Sequence, residues 1–276
     1  MLDQAYTLRQ LVQTVPAAAR NDRISPPMIV VAGGRAGVGA TTVATNLGAV
    51  LADRGERVVL VDGAQQGGDL ADVAGASPAI ERSLDDVIAG DFSAAEALAP
   101  GPAGTLVLGR RRPGQQVLDA SRPAQQRIFA ELQSLESEAG LLVVDAGSGA
   151  SPWMRRFWLR AGLVIVVTTT DDLALLDSYA LIKQNVGDGV GGDIRVLANQ
   201  CDSDAVAGEA YRKLSNACQQ FLSHSVRALP ALPRHVPAGG ARENGTPRVW
   251  KRPNSPFGHA MMWLGRAVGD AMRDEG

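Results

Sequence analysis

The sequence predicts an α/β fold built on a doubly wound, mostly parallel sheet. Three observations predict it: short, continuous apolar runs, amphipathic stretches between them, and a glycine-rich turn between the first run and the first helical stretch. "MIVVA" from Met28, "RVVLV" from Arg57, "LLVV" from Leu141, "LVIVV" from Leu163 and "IRVLA" from Ile194 read as buried parallel strands, and "TLVL" from Thr105 is a weaker sixth. Strands apolar on both faces need helices on both faces. After the first strand, Val43, Leu47, Val50 and Leu51 recur at helical spacing before a stop at Gly55. Near the end, Met261, Leu264, Val268 and Met272 share one helical face. Acidic residues outweigh basic ones there, so packing onto the domain is expected rather than attachment to anionic lipid. Ligands of such sheets bind beyond the carboxyl ends of the strands, where the glycine-rich turn falls.

The 276 residues and 45% hydrophobic content suffice for one large core. A net charge of −2 excludes the whole-molecule basic field that drives nonspecific nucleic-acid binding. Cys201 and Cys218 form no metal-ligand pattern with His224, His235 and His259, and read as packing residues in a reducing compartment. Neither a signal-peptide core nor a run of about 18 apolar residues is present. Residues 1–27 stand apart as a segment and linker, and residues 28–276 form the predicted domain. In "MLDQAYTLRQLVQTV", Asp3 is a candidate helix cap, and Ala5, Leu8, Val12 and Val15 share one face. The breaker-rich "PAAARNDRISPP" follows, so the segment reads either as a tethered docking helix or as one packed back on the domain.

"GGRAGVGATT", residues 33 to 42, carries the chemistry. Glycines at 33, 34, 37 and 39 let backbone amides turn inward, and the following helix adds its dipole; both favour a phosphate. Gly34, Arg35, Gly37, Val38, Gly39, Ala40, Thr41 and Thr42 are therefore the candidate nucleotide-binding residues. Thr41 stands where a hydroxyl ligates Mg²⁺. Asp145 ends "LLVVD" in the Walker B position, and Asp62 ends "VVLVD", so Thr41, Asp62 and Asp145 are the candidate metal residues.

This order of pieces resembles the MinD/ParA class of P-loop ATPases, whose deviant Walker A motif has the form KGGxGK(S/T). The stretch here reads "RAGVGAT", which places Arg35 at the class's signature lysine and Ala40 at the ordinary P-loop lysine. Arginine keeps the positive charge with a different geometry. Losing one charge-assisted contact at position 40 costs roughly 1.5–3 kcal/mol. The class also carries a DxD-type switch after the second strand; "VDGAQQGGDL" keeps Asp62 but has Ala64 at the water-positioning place, with Asp69 as the lesser alternative. Alanine neither orients nor deprotonates water, so turnover suffers more than binding. No residue is assigned as catalytic, and a slow or inactive ATPase with weakened or lost ATP/ADP and Mg²⁺ binding is expected. Asn199 corresponds to the amide that reads adenine in relatives and Pro233 to a proline lining the base; a strand-end cap and a loop turn are the alternatives.

Three outlying segments narrow the resemblance. "DQAYTLRQLV" is similar to the DQAxxLRxL motif of the FlhG (FleN) family of flagellar-number regulators, "TTTDDLALLDSYALIK" to its TTPExxxxxDAYALIK, and "RPNSPFGHA" to the stretch before its last helix. The resemblance implies that Asp3, Gln4, Leu8 and Arg9 contact an FlhF-type SRP GTPase and stimulate it. It also implies a nucleotide-sandwich homodimer and a cytoplasmic protein with at most peripheral contact at the inner face of the plasma membrane. The leading expectation is an FlhG-like adaptor. The alternatives are a working ATPase that dimerises on ATP and a positioning protein for another surface apparatus. Trp153, Phe157 and Trp158 read as core, and "GRRRPG", with Arg110, Arg111 and Arg112, as a solvated turn in preference to a nucleic-acid site or, more sharply, as a partner contact.

Overall fold

The computed structural model describes residues 25–65, 69–110, 122–186, 193–234 and 247–274. The segment carrying Asp3, Gln4, Leu8 and Arg9 lies outside the described residues, as do Arg111 and Arg112.

All five apolar runs form parallel strands: β1 (Met28–Gly33), β2 (Val58–Asp62), β5 (Leu141–Ser148), β6 (Leu163–Thr168) and β7 (Asp193–Ala198). The weaker run is β4 (Leu106–Leu108), and two-residue edge strands β3 (Ala99–Pro100) and β8 (Arg227–Ala228) complete the order β3-β4-β2-β5-β1-β6-β7-β8. Among the described residues, only β3 pairs antiparallel, with β4. The edge strands were not expected, because two residues carry no apolar run to reveal them.

Alternation along the strands divides the core between the two faces of the sheet. Met28, Val30 and Ala32 of β1 belong to one apolar cluster and Ile29 and Val31 to the other. The first cluster is covered by α3 (Leu84–Ala89), α4 (Arg122–Gln133), α5 (Pro152–Trp158), α6 (Asp172–Asn185) and α7 (Asp204–Leu222). Trp153, Phe157 and Trp158 are buried there, with Trp153 edge-on to Phe157 at 5.0 Å between ring centroids. The second cluster is covered by α1 (Ala40–Asp53), α2 (Leu70–Ala74), α8 (Arg248–Lys251) and α9 (Pro256–Asp274).

The last helix packs as expected. Met261, Leu264 and Val268 of α9 are fully buried against the α1 side, with Met272 partly buried beside them. Gly265 admits the Val50 side chain where any Cβ would collide with it. No helix among the described residues is long and apolar enough to cross a membrane.

Candidate nucleotide-binding site

The sheet aligns the ends of its central strands. In register, Asp62 at the end of β2 lies opposite Asp145 of β5, and Val31 of β1 lies opposite Asp145 on the other side. The glycine-rich loop leaves β1 at this level and enters α1. Gly37 and Gly39 have φ of 86° and 94°, which L side chains rarely adopt, and Gly39 is also tight against Asn199. Gly39 begins α1 with no side-chain cap, and the first turn holds no acidic residue. Such a helix start leaves its amides and dipole to an incoming anion.

Two residues from the end of β7 hold the loop. Asn199 Nδ2 donates to the Val38 carbonyl at 2.8 Å, and Gln200 Nε2 donates to the Gly37 carbonyl at 3.1 Å. The Gly149 amide donates to the Gly33 carbonyl at 3.0 Å. With carbonyls engaged from outside, the loop presents amides rather than oxygens to a ligand. Pro233 forms a parallel bridge with Cys201, just beyond the same strand.

The two carboxyls are buried together. Burial, then the neighbouring Asp145, raises Asp62 to about 8. Burial raises Asp145 to about 6, opposed by the Thr41 hydroxyl and by the Gly147 amide, which donates at 3.0 Å. Asp62 Oδ1 accepts from the Ala64 amide at 3.4 Å, while its Oδ2 is buried without a hydrogen-bond partner. An orphaned carboxylate oxygen beside a second carboxylate and a threonine hydroxyl suits a divalent cation, which supplies the missing charge. These residues and the amide loop fit a Mg²⁺-nucleotide. Position 40 offers only a buried methyl group, so no lysine amine supports the phosphates there.

The segment after β2 is pinned by side chains that the sequence did not single out for this site. Trp153 Nε1 donates to the Gly63 carbonyl at 2.9 Å, and Arg110 Nη1 donates to the Ala64 carbonyl at 3.1 Å. Arg110 also forks onto Asp85 of α3, with Nη2 to Oδ1 at 3.1 Å and Nε to Oδ2 at 3.4 Å. The expected solvated turn is therefore corrected at Arg110, whose side chain is fully buried. The reason is its partners: an isolated guanidinium does not leave water, whereas one with a carboxylate fork and a carbonyl does. Its place directly after the "TLVL" strand was the available signal, since strand ends face the ligand.

Arg35 pairs with Asp177 of α6, Nε to Oδ2 at 3.7 Å, both half-exposed. Gly34 lies so close to the backbone of Asp177 and Ser178 that a Cβ would overlap it. Loop and helix thus touch at the signature position. Thr41 and Thr42 both belong to α1, and their carbonyls accept from Thr45 Oγ1 and Asn46 Nδ2 in ordinary helical fashion.

This convergence of an amide loop, a threonine hydroxyl and two carboxyls paired in register on adjacent strands defines a P-loop nucleotide-binding fold. The chain belongs to the CobQ/CobB/MinD/ParA nucleotide-binding domain family, whose model matches residues 29–246. Within that family it resembles the antiactivator FleN of Pseudomonas aeruginosa, at 29% identity over 206 residues, 75% of this chain and 73% of that protein. The flagellum site-determining protein YlxH of Helicobacter pylori is 26% identical over 194 residues, 67% of this chain and 63% of its own length. Among solved structures, the septum site-determining protein MinD of Pyrococcus horikoshii, complexed with Mg-ADP, superposes with a TM-score of 0.71 at 22% identity. That match covers 91% of this chain and 98% of MinD and establishes the fold.

Proposed function

We propose that this protein is an FlhG-like regulator of flagellar placement and number. It works as a nucleotide-responsive adaptor whose ATP hydrolysis is slow or lost. The observation that carries this reading is the division within one pocket: the amide loop, Thr41, Asp62 and Asp145 are in place, while residues 40 and 64 are alanine. The first group binds; the second group, in relatives, accelerates bond cleavage. The likeness to FleN and YlxH, both named for control of flagella or of activation, supports the flagellar assignment. Asp3, Gln4, Leu8 and Arg9 then form the contact with an FlhF-type SRP GTPase, and the domain presents that segment from the cytoplasm.

A second reading, an ATP-driven dimer, is favoured by one observation. Arg35 keeps a cation at the signature position and is held by a half-exposed ion pair, which a phosphate can displace.

Calorimetric titration with Mg²⁺-ATP and a phosphate-release assay separate the two. Measurable binding without steady release supports the adaptor, and steady turnover by the purified protein overturns it. Stimulation of an FlhF-type GTPase by the full chain, lost on removal of residues 1–20, supports the partner assignment; full stimulation by the shortened chain overturns it.

A further inference from the structure

An apolar groove of about 510 Å³ lies between α6 and α7, on the face of the sheet covered by the first apolar cluster. Leu175 and Leu214 are buried at its floor, Tyr179 and Ala217 are partly buried, and Leu176 and Phe221 are 61% and 66% exposed. Large apolar side chains left in water on both walls mark a surface that something covers. Leu214, Ala217 and Phe221 recur at helical spacing over about 10 Å of α7, so the groove fits a third helix laid along its walls. In the N-terminal segment, Leu8, Val12 and Val15 repeat that period over the same length, about 10 Å. Arg9 lies four residues after Ala5 and three before Val12, beside this apolar face. The rim of the groove carries the opposite charge: Asp172 and Glu209 share Lys213, at 3.3 Å and 3.6 Å, which leaves one carboxylate in excess. Such an exposed charge sets register more than strength.

The segment is also within reach. Ten residues lead from Val15 to Ser25, where the described chain begins, and they span up to about 33 Å when extended. β1 starts three residues later, one strand from β6 and two from β7, with the three starts in register. α6 and α7 return from the far ends of β6 and β7 toward that level, and Phe221 stands one residue before the end of α7. The near end of the groove is therefore about 10 Å sideways and about 10 Å outward from the start of β1. We propose that residues 3–15 dock as an amphipathic helix in the α6–α7 groove of their own chain, with Leu8, Val12 and Val15 against Leu176 and Phe221. Leu8 is then covered, so a partner of the segment must first displace it from the groove. The docked segment needs neither a nucleotide nor the GTPase, so the failure of either reading leaves its test intact.

The decisive experiment is amide hydrogen exchange read by mass spectrometry on the full-length, nucleotide-free protein and on Leu176→Ser, Phe221→Ser and Val12→Ser, each at two concentrations about tenfold apart. Amides of residues 5–15 should exchange about tenfold or more slowly than in a free peptide of residues 1–24. Each substitution should return them toward the peptide rate while exchange in β1 and β6 stays unchanged, and dilution should leave the protection as it is. Peptide-like exchange in the unaltered protein overturns the proposal and leaves the groove to a separate partner. Protection that survives in both groove variants overturns it too, because the segment then rests elsewhere. Protection that fades on dilution assigns the groove to a second copy of the chain and overturns docking within one chain. If the groove variants unfold, seen as faster exchange in β1, a cross-link decides: Val12→Cys combined with Ala217→Cys should be joined within one chain by a short bis-maleimide, and failure to join them overturns the proposal.

Discussion

The side-chain amide of Asn199 donates a 2.8 Å hydrogen bond to the carbonyl oxygen of Val38, joining the end of β7 to the phosphate loop. Both groups are buried. Asn199→Ala leaves the Val38 carbonyl without its partner and should cost about 1–3 kcal/mol, read from urea unfolding. Affinities for ATP and GTP should fall together, because the loop loosens for either base. A selective loss of ATP would instead show that Asn199 reads adenine.

Residue 40 tests the phosphate assignment. Ala40→Lys should tighten Mg²⁺-ATP binding about tenfold to a hundredfold through one added charge-assisted contact, measured by calorimetry. Combining it with Ala64→Asp should bring phosphate release above background, since the pair restores both charge and water positioning. Unchanged affinity in Ala40→Lys would place the phosphates elsewhere.

Asp62 makes stability depend on pH. Its folded pKa, about 8, lies above the unfolded value of 3.8, so the folded state holds the proton more tightly. The associated stability is present below the unfolded value and is lost as pH rises toward 8. Between those limits the loss approaches about 1.4 kcal/mol per pH unit for one group. Asp145, raised to about 6, adds its share at the acidic end of the window. Unfolding free energies at pH 5 through 8 should therefore decline in the metal-free protein, and Asp62→Asn should flatten the profile. An equal slope in the variant would assign the effect to other groups.

The Arg35 and Asp177 pair predicts a separation between stability and assembly. Being half-exposed, it should contribute under about 1 kcal/mol, so Asp177→Asn should melt close to the unaltered protein. The released Arg35 should make ATP-dependent dimerisation stronger, as sedimentation in the presence of Mg²⁺-ATP would reveal. Gly34→Ala, by contrast, pushes a methyl group into the backbone of α6 and should destabilise the fold by about 1–3 kcal/mol. Dimerisation equal with and without Asp177 would remove Arg35 from the interface.

The sequence by itself determined the parallel strands, the covering helices and the strand-end position of Asp62, whereas β5 runs three residues past Asp145, to Ser148. Apolar runs on a chain that must bury both sheet faces leave few other solutions, and the glycines at 37 and 39 mark positive φ that other residues resist. It also determined that residues 40 and 64 lack functional side chains, because a missing group is visible without coordinates. Tertiary structure alone decided the rest. Arg110 looked like surface charge until Asp85, from α3, and the Ala64 carbonyl were seen to hold it. Asn199 and Gln200 became loop supports only because β7 ends beside the turn after β1, about 160 residues earlier in the chain. A strand's hydrophobicity is local and readable along the chain, whereas the partner that lets a charge or an amide be buried comes from distant sequence and exists only once the sheet has assembled.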